Sequence, residues 1–425
     1  MVILWMLIGL IAMLVLRVPV AIALLAPCLI YVVADPSATF EVAAQQTISG
    51  LNSFPLLAVP LFIMLGNVAN VSGISDRLFN AATALIGTVR GSLGYVNVAT
   101  SFGFAWMSGA AISDAAALGR VQVPAMIKRG YSDKFSVGIT AASSLIAPIL
   151  PPSIPAIIYA VTAGLSVGAL FIAGIVPALL VVLALCIMVW VTTRKRDDLR
   201  LEPVRGRERW MPVLGALPGL GAGIVVLGGI LGGIFTPTEA AGIGVLYMFI
   251  LAAAYRRMNT TNILYVLRTT LETSGAVLLI VGAASLFGWV LAREQAPQKA
   301  AELILSLTTN PIVFLILLNI LLLIVGAVLE PTAAILILVP VLAPVATQYG
   351  LDPLHVASVI IFNLMIGLLT PPVGLVLFVL SSVTDLPVSK VIQGVVPFFV
   401  PMLAVLALIT FFPFFTTWLP GVIAP

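Results

Sequence analysis

Residues 130–177 read GYSDKFSVGITAASSLIAPILPPSIPAIIYAVTAGLSVGALFIAGIVP, and residues 350–397 read GLDPLHVASVIIFNLMIGLLTPPVGLVLFVLSSVTDLPVSKVIQGVVP. The two stretches carry glycine or proline at the same five places when one is shifted by 220 residues. The matched pairs are Gly130/Gly350, Pro151/Pro371, Pro152/Pro372, Gly174/Gly394 and Pro177/Pro397. Apolar matches arise easily in an apolar chain, but five glycine and proline matches in one register do not. The pattern predicts an internal repeat.

The composition predicts a polytopic α-helical membrane protein. Of 425 residues, 61% are hydrophobic and 8% are charged, whereas soluble chains carry about 25% charged residues. The apolar runs are continuous rather than alternating, which excludes a β-barrel. The lipid bilayer is therefore the expected surrounding of the chain. The net charge of +4 is small and scattered, and no nucleic-acid partner is expected.

Long apolar runs mark the candidate membrane segments, because about 20 apolar residues cross a bilayer. The first run has no basic region before it and no cleavage site after it. It is interpreted as a retained membrane segment rather than a signal peptide. The predicted segments are 2–16, 18–34, 54–70, 94–114, 115–127, 135–163, 168–193, 211–235, 238–255, 273–292, 312–329, 331–347, 355–383 and 392–418.

Some of these segments are too short or too rich in proline to be single straight spans. Paired short segments predict one re-entrant hairpin at about residues 92–127 and another at about residues 312–347. Segments 135–163 and 355–383 contain the two Pro-Pro pairs and are predicted to be broken helices. Helix breaks at membrane depth are tolerated only where the freed backbone groups face protein or a wet cavity.

The distribution of basic residues predicts the orientation of the two halves. Residues 194–209 carry seven Lys/Arg and four Asp/Glu, and the positive-inside rule places them in the cytoplasm. The loop 128–134 holds three basic residues, but its equivalent 348–354 holds none. Equivalent loops are thus predicted on opposite sides of the membrane. The same reasoning places Arg17, Arg77, Arg90, Arg256 and Arg257 inside, and Arg293 and Lys299 outside.

The predicted organisation is therefore a pair of inverted repeats. Residues 1–193 form the first repeat, residues 194–210 form a basic cytoplasmic loop, and residues 211–425 form the second repeat. Each repeat contains one hairpin and one broken helix. This all-α architecture, with a scaffold and a transport domain, is typical of secondary transporters.

Each hairpin turn is predicted to face a broken helix. The turns lie near residues 106–111 and 329–333, and the breaks lie within 142–153 and 363–374. Unwound carbonyls and Ser, Thr or Asn oxygens coordinate Na+, while half-helix N-termini attract carboxylates. The arrangement predicts two cation sites flanking one substrate site. The alternative for each single residue is close packing or a hydrogen bond between helices.

Acidic residues inside the membrane are costly and therefore informative. Asp114 has two interpretations. One is structural, as an ion pair with Arg120 or a bond to helix ends, and the other is a functional role. Glu330 at the second hairpin tip is the better ion-site candidate. Glu239 is first interpreted as a helix N-terminal charge after the N-cap residue Thr236.

Several common motifs are absent from the sequence. It contains no GxxxxGK[ST] loop, no HExxH and no GxSxG. Neither an enzyme nor an organic cofactor is therefore predicted, and an ion gradient is the expected source of energy. Cys28 and Cys186 are interpreted as small buried hydrophobes, and the single histidine, His355, cannot build a metal site alone.

Short segments between about residues 50 and 375 carry a specific resemblance. They are SFPLLAVPLF (53–62), RGSL (90–93), VNV (96–98), SGAAISDAAA (108–117), AASS (141–144), PPSIP (151–155), FTPTEAA (235–241), Asn363 and GLLTPPVG (367–374). With these segments the chain resembles the large membrane subunit of the tripartite ATP-independent periplasmic (TRAP) transporters, within the broader ion-transporter superfamily.

The resemblance implies a Na+-driven importer in a bacterial inner membrane that works by an elevator mechanism. Its substrate would be a small carboxylate, such as a C4-dicarboxylate or a sialic acid. A periplasmic binding protein would deliver the substrate, and a separate small four-helix membrane subunit would complete the complex.

The resemblance also implies site residues by position. The Na+ ligands would come from Ser108, Gly109, Ser143 and Ser144 in the first half, and from Glu330, Pro331, Thr332, Asn363, Gly367 and Thr370 in the second. The substrate would contact Ser108, Gly109, Pro152, Ser153, Thr332, Thr370 and Pro371. The chain departs from the family pattern at Ala110, where serine is expected, and at Glu330, where aspartate is common.

Two other functions stay open from the sequence. A stand-alone Na+/carboxylate symporter of the same superfamily would not depend on a binding protein. A cation/proton antiporter or channel would move ions without an organic substrate, and would need more titratable residues at mid-membrane than Asp114 and Glu330.

Overall fold

The computed structural model describes residues 2–16, 18–35, 37–202 and 206–423. Arg17, which is predicted to lie inside, and residues 203–205 of the basic loop lie outside the described residues. Within the described ranges the chain forms 21 α-helices, three short 3-10 helices and no β-strand. The predicted all-α class is confirmed.

The first half of the chain contains ten α-helices. They are α1 (Val2–Val15), α2 (Val20–Ala34), α3 (Phe40–Leu51), α4 (Ala58–Ser72), α5 (Ile74–Ile86), α6 (Ser92–Ser108), α7 (Ala111–Lys128), α8 (Asp133–Ser144), α9 (Ile154–Ala163) and α10 (Val167–Thr193). The 3-10 helix Phe54–Leu57 precedes α4, and a second one, Asp197–Leu199, follows α10.

The second half contains eleven α-helices. They are α11 (Arg207–Leu231), α12 (Pro237–Ala254), α13 (Thr260–Arg293), α14 (Ala296–Leu307), α15 (Pro311–Gly326), α16 (Pro331–Gln348), α17 (Pro353–Gly367), α18 (Leu375–Thr384), α19 (Val388–Val395), α20 (Phe399–Phe411) and α21 (Phe414–Ile423). The third 3-10 helix, Val396–Phe398, joins α19 to α20.

Seven of the described helical stretches are long and apolar enough to cross a membrane, and α14 with α15 make an eighth candidate that is bent by 117°. Their outward-facing side chains are large and apolar, such as Leu183, Trp190 and Ile250, which are 57%, 55% and 62% exposed. In water such exposure would be costly, but in lipid it is the expected arrangement. The protein is a multi-pass membrane protein.

The helix boundaries differ from the predicted segments in several places. The predicted segment 94–114 is wrong at its end, because Gly109 has a left-handed backbone (φ +62°) and stops α6 at Ser108. The segment 273–292 is also too short, since α13 already begins at Thr260. Hydropathy misses this start because the first turns of α13 are polar. For the same reason the amphipathic helices α3, α5 and α14 were not predicted.

Helix boundaries in the two halves follow the 220-residue offset of the sequence pattern. Both ends of α7 (Ala111 and Lys128) and both ends of α16 (Pro331 and Gln348) differ by that number. The starts of α8 and α17 differ by it as well. The orientation of the two halves across a membrane stays a prediction.

The start of α12 confirms the capping interpretation of Glu239. The backbone N–H of Glu239 donates to Thr236 Oγ1 at 3.3 Å, and the backbone N–H of Thr236 donates to Glu239 Oε2 at 2.8 Å. This is a capping box, in which two otherwise unpaired donors are satisfied reciprocally. Thr238 Oγ1 also donates to the carbonyl of Phe54 at 3.1 Å, which ties α12 to the 3-10 helix before α4.

The broken helices lie at the centre of the bundle. Every residue from Ser136 to Ser144 in α8 and from His355 to Gly367 in α17 is buried. Around them, α10 packs against α17, α20 and α21, while α13 packs against α2, α3, α4 and α16. The polar residues of α8 and α17 are therefore buried at the centre of the bundle, and this position defines the candidate site.

We expect Thr236→Ala to lower the free energy of unfolding by about 1 kcal/mol, because it removes the N-cap acceptor of α12. Thermal unfolding in detergent measures the effect. Thr261→Ala is the matched control, since Thr261 is an exposed threonine in the first turn of α13. An equal effect of the two substitutions would contradict the capping role.

Candidate functional site

The turn of the first hairpin lies against the first helix break through backbone contacts. A methyl group added at Gly109 would lie 2.6 Å from the carbonyl oxygen of Pro152. The backbone N–H of Ile154 donates to the carbonyl of Gly109 at 3.4 Å. Only glycine, which has no Cβ, allows the two backbones to lie this close. The structure thereby brings Gly109 together with Pro152 and Ser153, the residues that the resemblance assigns with it to the substrate site.

The first break, residues 145–153, is buried throughout and ends at a well-formed helix cap. Ser153 Oγ accepts from the backbone N–H of Ala156 at 3.1 Å and donates to the carbonyl of Pro148 at 2.6 Å. The peptide bond between Pro151 and Pro152 is cis. The N-terminus of α9 therefore starts inside the protein, where its partial positive charge is little screened by water.

A buried polar network joins α6 of the hairpin to α8 of the broken helix. Ser143 Oγ donates to Asn97 Oδ1 at 2.8 Å, and Asn97 Nδ2 donates to Thr140 Oγ1 at 2.7 Å. Ser101 Oγ donates to Ser143 Oγ at 2.9 Å. Ser144 Oγ instead donates to the carbonyl of Ala141 at 2.8 Å within its own helix. Ser143 and Ser144 are thus near the hairpin but engaged in protein hydrogen bonds.

Asp114 pairs with the hairpin tip rather than with a basic residue. Its side chain is fully buried, and Ser108 Oγ donates to its Oδ1. Its Oδ2 is buried with no hydrogen-bond partner among the described residues. The alternative ion pair with Arg120 is wrong, because Arg120 is exposed and no described salt bridge joins the two.

The second hairpin turns at residues 327–330 and also contacts its break. The backbone N–H of Val373 donates to the carbonyl of Ala327 at 3.3 Å. Glu330 is the N-cap of α16, since its carboxylate accepts from the backbone N–H of Ala333 at 3.1 Å and from Thr332 Oγ1 at 2.7 Å. Pro331 occupies the first helical position, where a missing N–H costs nothing.

The last turns of α15 and α17 approach each other through glycine. A methyl group added at Gly367 would lie 2.3 Å from the carbonyl oxygen of Gly326. Nearby, Asn363 Nδ2 donates to Asn319 Oδ1 at 2.7 Å and to the Asn319 carbonyl at 3.1 Å. Asn363 Oδ1 points away and has no partner among the described residues. Thr370 Oγ1 donates to the carbonyl of Ile366 at 2.9 Å, so it is not bonded to Asn363.

The two breaks have different surroundings. Pro151, Pro152 and Ser153 are buried, whereas Pro371 and Pro372, which also form a cis peptide bond, are exposed. A small cavity of about 20 Å³ lies between the first break and α17. A larger cavity of about 570 Å³ lies between α9, α13 and α16, and none of the predicted site residues lines it. The second break is thus the more accessible one.

Two asparagines contribute to the site beyond the predicted residues. Asn97 bonds to Ser143, and Asn319 bonds to Asn363, so each hairpin is fastened to its broken helix by an amide. Asn319 lies within the apolar run PIVFLILLNILLLIVG. A lone amide in such a run is costly unless it is hydrogen-bonded inside the protein. That signal was available in the sequence.

These features define the class of the protein as a polytopic membrane permease in which two hairpin turns contact two helix breaks. A family model described as the DctM component of the tripartite ATP-independent periplasmic transporters matches residues 7–415. The chain belongs to this family, and the predicted resemblance is confirmed.

Individual relatives cover almost the whole chain. It is 42% identical over 403 residues to the sialic acid TRAP transporter large permease protein SiaM of Vibrio cholerae, over 95% of this chain and 94% of the relative. It is 34% identical over 429 residues to the C4-dicarboxylate TRAP transporter large permease protein DctM of Rhodobacter capsulatus, over 97% and 98%.

One solved structure shows a similar fold. The crystal structure of the Alcanivorax borkumensis YdaH transporter matches with a TM-score of 0.59, over 85% of this chain and 86% of that chain. The sequence identity is 16%, so the likeness concerns the fold alone.

We expect Gly109→Ala and Gly367→Ala each to lower the free energy of unfolding by about 2 kcal/mol, because the added methyl group would collide with backbone across the hairpin contact. Gly275→Ala is the control, since no atom lies within 4 Å of a methyl group there and alanine favours helix. Thermal unfolding compares the three variants. An unchanged free energy of unfolding in both hairpin variants would show that the Gly109–Pro152 and Gly367–Gly326 contacts have room for a methyl group.

Proposed function

We propose that this chain drives Na+-coupled uptake of a small organic anion. The observation that supports this most is a pair of buried side-chain oxygens without a donor, one beside each hairpin. They are Asp114 Oδ2 and Asn363 Oδ1. Each of these buried oxygens can only accept, one lies in each half of the chain, and bound cations would satisfy both.

The first cation site is built on Asp114. A carboxylate buried in a membrane protein is costly unless it is neutralised, and no described Lys or Arg pairs with it. A bound cation supplies the missing charge. The Ser108 hydroxyl contacts the Asp114 carboxylate, and hydroxyl and carboxylate oxygens are ligand types that sodium takes in such transporters.

The second cation site centres on Asn363 Oδ1. The amide nitrogen is fixed by two oxygens of Asn319, so the orientation of Asn363 is set before any ligand binds. The neighbouring elements are the end of α17 at Gly367, the break at Thr370, and the cap of α16 at Glu330, Pro331 and Thr332. We assign Glu330 to a supporting role, because its carboxylate is already occupied as an N-cap.

The substrate is proposed to be a carboxylate held between the two breaks. The N-termini of α9 and α16 begin at the breaks and hairpins and carry partial positive charge. Ser153 and Thr332 lie at these termini, and Pro152, Thr370 and Pro371 lie in the breaks. The relatives described above are named for sialic acid and C4-dicarboxylates, which are carboxylates, and this chain is proposed to carry a substrate of that chemical class.

The proposed complex has three parts in a bacterial inner membrane. A periplasmic binding protein delivers the substrate, and a small four-helix membrane subunit binds this chain. The hairpins and broken helices move together past a scaffold that includes α11, α12 and α13, as an elevator. The difference in exposure between the two breaks supports a state in which one side of the site is open.

Uptake into proteoliposomes tests this function. Vesicles containing this chain and its small subunit receive an inward Na+ gradient and a labelled carboxylate, with and without the cognate binding protein. We expect uptake only when Na+ and the binding protein are both present. Uptake without the binding protein would support a stand-alone symporter, and Na+ or proton flux without any organic substrate would support an antiporter or channel.

We expect Asp114→Asn and Asn363→Ala each to raise the Na+ concentration for half-maximal uptake about tenfold, since each removes an ion ligand worth roughly 1.5 kcal/mol. Uptake against Na+ concentration measures this. Glu272→Gln is the control, because Glu272 is exposed and paired only with Arg268 at 2.7 Å. A Na+ curve unchanged in both variants, with normal protein folding, would count against these cation sites.

A further inference from the structure

A groove between α5, α6 and α11 lies apart from the candidate site. Its volume is about 390 Å³. Its lining includes Leu78, Phe102, Trp106 and Leu220. Its lining is aliphatic, aromatic or glycine, and its one polar side-chain group is the indole N–H of Trp106, which has no partner among the described residues. Apolar cavities of this kind stay dry and take apolar guests.

The groove is open to the outside of the helix bundle. Three of its lining residues are exposed, namely Leu85 at 43%, Leu217 at 51% and Ile224 at 60%. Because α11 is one of the membrane spans, the medium on this side is lipid. A hydrocarbon chain from the bilayer can therefore enter without crossing protein.

A cationic side chain lies one residue from the groove lining in sequence. The Arg77 guanidinium stacks over the ring of Tyr255, with its carbon 3.7 Å from the ring centroid. A methyl group added at Gly215 would lie 3.5 Å from Arg77 Nη1. Gly215 precedes Ala216 and Leu217, which line the groove, and Arg77 precedes Leu78. The charge is thus held next to the apolar opening.

Arg77 has no acidic partner in the described part of the chain, because it occurs in none of the ion pairs found there. Asp76, its neighbour in sequence, is exposed. A second cation lies near the same turn. A methyl group added at Gly73, the residue before α5, would lie 3.7 Å from Arg257 Nε. Two arginines without a carboxylate partner favour an anion.

We propose that the groove and its arginines form a binding site for an anionic phospholipid. One acyl chain occupies the groove, and the phosphate contacts Arg77 with Arg257 beside it. Basic pockets between membrane helices on the cytoplasmic side bind anionic headgroups, and Arg257 belongs to the side that the charge distribution predicts as cytoplasmic. The lipid fills the space between the amphipathic helix α5 and its neighbours α6 and α11.

Trp106 in the groove wall provides a probe, since bromine on an acyl chain quenches tryptophan fluorescence by contact. The full chain is placed in phosphatidylcholine nanodiscs containing brominated phosphatidylglycerol or brominated phosphatidylcholine at equal fractions. The signal of Trp106 is the difference between wild type and Trp106→Phe. We expect the brominated anionic lipid to quench this signal at an about fivefold lower fraction than the zwitterionic lipid.

Arg77→Gln should abolish the preference for the anionic lipid, while Arg77→Lys, which keeps the charge, should retain part of it. Arg268→Gln is the control, because Arg268 is a fully solvated arginine (81% exposed side chain) already paired with Glu272. Phosphatidylglycerol should also raise the unfolding temperature of wild type but not of Arg77→Gln, which gives a second readout if the variant folds poorly.

Three results would overturn the proposal. Equal quenching by the two lipids would mean that no headgroup is recognised. Loss of the preference on addition of inorganic phosphate would mean that the arginines bind a free anion. No quenching of Trp106 by either lipid would mean that no acyl chain enters the groove.

Discussion

The structure depends on the requirement that backbone groups at membrane depth be covered by protein. Two helices, α8–α9 and α17–α18, lose their regular hydrogen bonds in the breaks at residues 145–153 and 368–374. Each break contacts the turn of a hairpin, through the Ile154 to Gly109 bond on one side and the Val373 to Ala327 bond on the other. The hairpins are therefore needed by the bundle. Without them the backbone groups freed in the breaks would lack partners at membrane depth, which is costly.

The two halves meet this requirement with the same backbone and different side chains. Ser143 and Asn363 occupy equivalent positions, and each bonds to an asparagine on the first helix of its hairpin. The carboxylates differ more. Asp114 is fully buried behind the tip of the first hairpin, whereas Glu330 caps the helix that begins at the second tip. One half keeps a carboxyl oxygen without a partner and the other keeps an amide oxygen without a partner among the described residues, so the two proposed cation sites differ in chemistry.

Charged side chains outside the hairpins and breaks include some that are paired at the surface and some that are held by an aromatic ring. The described ion pairs, such as Arg90–Asp197 and Arg196–Asp198, lie in exposed loops, where each contributes little to stability. Arg77 is held by an aromatic ring instead of a carboxylate. Polar groups without a protein partner therefore lie in two kinds of place among the described residues: beside the hairpins, where a cation is proposed, and at the edge of the bundle, where a lipid phosphate is proposed.

The sequence by itself determined the features that depend on local backbone. Proline and glycine marked the breaks, and the 220-residue offset reappears in the boundaries of α7 and α16. The N-cap at Thr236 with Glu239 in the first turn was also predicted, because a cap needs only residues three apart. Tertiary structure alone decided the partners, which are Ser108 rather than Arg120 for Asp114, and Asn319 for Asn363. It also decided the full length of α13. These contacts join residues that are distant in the chain or use polar turns stabilised by packing. Neither composition nor periodicity encodes which distant side chain arrives at a given position.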